Sequence, residues 1–71
     1  MMTILVQRLD GAQITVKIYA STTGADLFEI LPIGDPSNIV LVYPGVGELD
    51  NKRTLVSYGI EDGDIIYCKN K

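Results

Sequence analysis

Histidine and tryptophan are absent from the 71 residues, cysteine occurs once and proline three times. Each scarcity removes a class of chemistry. Without imidazole there is no His general base, no Ser–His or Cys–His nucleophile pair and no His-ligated zinc. A lone Cys68 forms neither an internal disulfide nor a Cys-rich metal site. Long apolar runs are missing too. The longest, Ile39–Tyr43, has five residues, against the roughly 20 that span a bilayer. No charged segment followed by an apolar stretch marks a secretory leader. Positive charge is sparse: six basic residues against nine acidic ones leave a net charge of −3. The basic residues form no cluster larger than the pairs Lys52-Arg53 and Lys69 with Lys71, which argues against a phosphate backbone as partner. A chain of this length is expected to fold as one domain, residues 1–71, with no room beside its core for a substrate cleft of a few hundred Å³. Neither catalysis nor a cofactor or metal is expected, and neither nucleic acid nor membrane as partner. A monomer in the cytoplasm or nucleus is the expected setting.

What is present is a pattern of short elements. Thr3–Leu9 is β-branched and apolar enough for a strand, and Asp10-Gly11 suits a tight turn. The next segment, Ile14–Tyr19, alternates strictly and puts Ile14, Val16 and Ile18 on one face, so the two segments predict an N-terminal hairpin. Thr23 followed by Asp26 resembles a capping box opening a helix of roughly 8 to 9 residues. Leu27, Ile30 and Leu31 then share its buried face, and Pro32 with Gly34-Asp35-Pro36 stops it. Ile39–Tyr43 is a third strand closed by Pro44-Gly45. Leu49 starts a brief strand or turn, and Thr54–Ile60 allows one helical turn ended at Gly59. Glu61–Asp64 reads as a solvated turn, since a calcium loop needs more oxygen ligands over about 12 residues. Ile65–Lys69 is the last strand. The predicted class is α+β: one short helix on one face of a four- to five-stranded mixed sheet.

A single helix covers one face of such a sheet, so the other should be polar. Alternation contradicts this. If Ile4, Val6, Leu41, Tyr43, Ile66 and Cys68 point inward, then Leu5, Val40, Val42, Ile65 and Tyr67 point outward, with Leu9 at the hairpin turn adding to them. That clustering predicts an apolar contact face. Burying about 500 Å² of it at roughly 25 cal/mol/Å² is worth on the order of 10 kcal/mol gross. Most of this is consumed by lost rigid-body and side-chain freedom, leaving micromolar affinity as the expectation.

The residues also resemble a family. Leu9-Asp10-Gly11, Ile14-Thr15-Val16 and Ser21-Thr22-Thr23 look like the opening hairpin and helix entry of ubiquitin. More specific are Leu41-Val42-Tyr43-Pro44-Gly45, Leu49-Asp50-Asn51-Lys52-Arg53-Thr54-Leu55 and Ser57-Tyr58-Gly59-Ile60, similar to the Leu-Ile-Phe/Tyr-x-Gly, Leu-x-x-x-Arg-Thr-Leu and x-Tyr-x-Ile stretches of ubiquitin-like domains. The resemblance runs from about Thr3 to Lys69 and implies the ubiquitin-like β-grasp fold. It also implies an apolar recognition patch whose matching positions are Leu9, Val42, Tyr67 and Lys69, with Val40 extending it where ubiquitin carries Arg. Lys69 stands in place of an apolar Val, and Tyr67 in place of a His. No Gly-Gly tail is present, so the resemblance implies an interaction module of a larger protein, not a conjugated modifier. Ser57–Asp64 is similar to the matching segment of the DNA-damage-inducible family of proteasome shuttle proteins. The partners so implied are a ubiquitin-interacting helix or a proteasomal receptor. Two other readings fit the same residues: a modifier or sulfur carrier whose Gly-Gly tail lies outside this chain, and a Ras-binding or scaffold-pairing β-grasp domain.

Overall fold

Alternation of β-branched and polar residues builds the strands, and their register decides what each face carries. A computed structural model describes all residues, Met1–Lys71. The strands are β1 (Met2–Gln7), β2 (Gln13–Ile18), β3 (Ile39–Tyr43), β4 (Gly47–Glu48) and β5 (Ile65–Asn70), with one helix, α1 (Gly24–Ile30), and a 3₁₀ turn at Leu55–Tyr58. They form one mixed sheet in the order β2-β1-β5-β3-β4. Strands β1 and β5, from opposite ends of the chain, lie side by side and parallel, while every other pairing is antiparallel. This is the α+β, β-grasp arrangement expected from the sequence.

On the inner face, Ile14, Val6 and Ile66 sit in one cross-strand row, Val16 faces Ile4, and Leu41 faces Cys68. Leu27 of α1, Leu49, Leu55 and Ile60 close over them to complete the core. Burial pushes the Cys68 thiol up from its ordinary value, as loss of water around the thiolate requires. The first hairpin is longer-looped than an Asp-Gly turn suggests. Strand β1 stops at Gln7, opposite Gln13, and Arg8–Ala12 form a five-residue connection with Gly11 at φ 88°.

Helix α1 opens on the expected capping box. The Thr23 hydroxyl accepts from the Asp26 N–H at 3.2 Å, and the Asp26 carboxylate accepts from the Thr23 N–H at 3.0 Å. Gly24 begins the helix because a Cβ there would stand 3.1 Å from the Asn51 Cα, and the Ala25 N–H donates to the Asn51 carbonyl. The helix is seven residues long, shorter than expected, and its apolar face is corrected accordingly. Ile30 is 59% exposed and takes no part in the core. The helix stops short because of Pro32. A residue preceding proline is driven out of the α region, so Leu31 is extended (φ −120°, ψ 143°) and no longer obeys helical spacing from Leu27. Leu31 and Phe28 pack half-buried against the core, and Ile33, beyond the proline, is buried within it.

The short fourth strand is also displaced from its expected position. It is Gly47–Glu48, and Leu49 follows it as a core residue whose N–H donates to the Leu41 carbonyl. The 3₁₀ turn ends at Gly59, in the left-handed region at φ 83°, as the Tyr58-Gly59 pair suggested.

Candidate functional site

The strand registers define the uncovered face residue by residue. Gln13, Gln7, Tyr67, Val42 and Glu48 form one row across all five strands. Thr15, Leu5 and Ile65 form the row on one side of it, and Lys69 with Val40 the row on the other. Directly paired residues on antiparallel strands have side chains on the same face, about 5 Å apart. Leu5, Ile65, Tyr67, Val42 and Val40 are therefore contiguous over the three central strands, all half-buried. Polar groups bracket them. The Gln13 amide donates to the Gln7 carbonyl oxygen at 3.3 Å on the β2 side, Glu48 is exposed on the β4 side and Lys69 is exposed beside Val40.

Four of the five residues singled out from sequence, Val40, Val42, Tyr67 and Lys69, are thus immediate neighbours. Leu9 belongs to none of the strands. It lies outside β1, on the Arg8–Ala12 loop, 49% exposed, at the end of the sheet where Gln7 meets Tyr67. Glu48 escaped sequence reasoning, because a two-residue strand has no period to read and only the preceding Pro44-Gly45 turn hints at a returning chain.

Two carboxylates of the acidic turn before β5, those of Asp62 and Asp64, are hydrogen-bonded within the protein. Asp62 accepts from the Thr3 N–H at 2.7 Å. Asp64 Oδ2 accepts from the Glu61 N–H at 2.9 Å and from the Tyr43 hydroxyl at 2.6 Å. The Tyr43 hydroxyl, and next the Glu61 N–H, hold the Asp64 carboxyl below the usual aspartate value, while the same Tyr43–Asp64 bond raises the tyrosine. Elsewhere the Arg53 guanidinium stacks 4.6 Å over the Tyr58 ring, whose hydroxyl accepts from the Asp50 N–H at 2.7 Å. These contacts fix loops.

One helix laid on one side of a mixed sheet with parallel outer segments at its centre defines a ubiquitin-like β-grasp domain. A family model described as ubiquitin-2 like, Rad60 SUMO-like matches residues 2–68, and the chain belongs to this family. Among solved structures it is similar to a protein described as de novo designed on the basis of ubiquitin, with a TM-score of 0.85 and 26% identity over 99% of this chain and 88% of the design. No curated protein matches it. The fold is shared by many solved chains, and a shared fold does not by itself assign a function.

Proposed function

We propose that the chain is a non-catalytic docking domain of a larger protein, acting in the cytoplasm or nucleus, that binds a ubiquitin-interacting helix or a proteasomal receptor through its open sheet face. Val40, Val42 and Tyr67 supply the apolar contact, and Lys69 and Leu9 border it. The observation that carries this reading is the contiguity of five apolar side chains on the face that α1 leaves uncovered. Such a face costs solubility unless something covers it. Membership of a ubiquitin-like family supports a protein partner.

The test is a titration of ¹⁵N-labelled chain with a ubiquitin-interacting helical peptide. Amides around Val40, Val42, Tyr67 and Lys69 should shift, with micromolar affinity, and Val42→Lys should remove the response while leaving the spectrum folded. Shifts confined to residues 24–31 would overturn the reading. The SUMO-like character of the family favours a second one, a modifier activated through a Gly-Gly end. The gene decides it: a diglycine shortly after Lys71 supports the modifier, a second domain the docking module.

A further inference from the structure

The open face has an electrical polarity as well as an apolar centre. Lys69 lies beside Val40 at one corner and Glu48 beside Val42 at the other. Both are exposed, and neither has an ionic partner, since the one ion pair in the protein joins Arg8 to Asp10 at 3.5 Å. Strands lie about 4.8 Å apart and rise about 3.3 Å per residue, so Lys69 and Glu48, two strands and two residues apart in register, are separated by about 12 Å between Cα atoms. Val40 and Val42 of β3 lie on either side of the line between them, and Tyr67 adjoins it on β5.

We propose, resting on the docking role of this face, that it selects an amphipathic helix carrying a carboxylate and a cationic side chain seven residues apart, flanking an apolar stripe. Seven residues of α-helix rise about 10.5 Å and return nearly to the same side of the helix, matching the spacing of the two free charges. The carboxylate meets Lys69, the cation meets Glu48, and the apolar residues at the intervening i+3 and i+4 positions cover Val40, Val42 and Tyr67. A uniformly acidic or uniformly basic helix meets one like charge. The pairing thus supplies orientation and selectivity on top of the apolar contact.

Four designed helical peptides with one apolar stripe test this, carrying Glu/Lys, Gln/Gln, Glu/Glu or Lys/Lys at i and i+7. Against the 71-residue chain at low salt, Glu/Lys should bind about two- to fivefold tighter than Gln/Gln for each pair formed. The two like-charged peptides should bind more weakly than Glu/Lys. Lys69→Glu should transfer the preference to Lys/Lys, and Glu48→Lys to Glu/Glu. Equal affinity of all four peptides, with Val42 and Tyr67 amides still shifting, would overturn the charge selection and leave the apolar face standing. A bound peptide without helical Cα shifts would overturn the helical occupant. If no peptide perturbs Val40, Val42 or Tyr67, the docking face itself falls, and the inference with it.

Discussion

Tyr43 occupies the last position of β3, and its hydroxyl reaches across to the turn that launches β5, donating to Asp64 at 2.6 Å. The bond couples stability to pH at both extremes. The folded Asp64 carboxyl lies below its unfolded value, first because of the Tyr43 hydroxyl and then the Glu61 N–H. Its contribution is therefore present above the unfolded aspartate value near 4 and is lost as pH falls through the folded one. Tyr43 is shifted upward, so its contribution is present below the unfolded tyrosine value near 10 and is lost as pH rises through the folded one. Tyr43→Phe deletes the shared bond. Urea unfolding midpoints measured from pH 2 to 11 should drop at neutral pH, and their decline toward both ends should become shallower than in the parent. Unchanged acid and alkaline limbs would mean that other groups set the pH profile. The bond joins residues 21 apart in sequence, and no spacing rule pairs a strand-end tyrosine with one of three acidic residues in a distant turn.

At the level of elements, what was legible in the sequence is what is locally determined. Thr23 and Asp26 are three residues apart, and three residues is the reach of a capping box, so the start of α1 could be read directly. Thr23→Ala should cost about 1 kcal/mol in thermal or urea unfolding. Asp26→Ala should cost a similar amount, and the double variant less than their sum, because either change breaks the same reciprocal pair. The far end of α1 was misjudged by the same local logic, since Pro32 acts on the residue before it as well as on the helix it terminates. Ile30, off the core-facing side of the helix, is exposed, and Ile30→Lys should leave the unfolding midpoint nearly unchanged where Leu27→Ala costs about 2–5 kcal/mol. Strand β4 lay beyond reach for another reason. Its two residues are strand only because β3 is already in place to pair with them, and no periodicity fits in a dimer of residues.

For the whole molecule, alternation tells which residues share a face of one strand, but adjacency across strands depends on the parallel pairing of β1 with β5, joined by the rest of the chain. The outward apolar set was therefore readable as a set. Its clustering, with Leu9 at the hairpin turn and Lys69 at its edge, was readable too, whereas the cross-strand registers and the flanking Glu48 were not. The two faces make opposite demands on neighbouring residues, and β3 lets these be separated within one peptide bond. Leu41 points into the core and is fully buried, whereas Val42 points to the open face. A domain of this size is held by roughly 0.05–0.15 kcal/mol per residue. Leu41→Ala, at about 2–5 kcal/mol, should consume much of that stability and broaden the amide spectrum whatever partner is added. Val42→Lys keeps the strand, faces Glu48 directly and so gains a cross-strand charge pair, and should move stability by less than about 1 kcal/mol. It should nevertheless cut affinity for a helical partner at least tenfold by placing an ammonium group in the centre of the apolar contact. Parallel loss of folding and binding in both variants would mean that the open face is a structural surface. Loss of binding alone in Val42→Lys would separate the two faces by function.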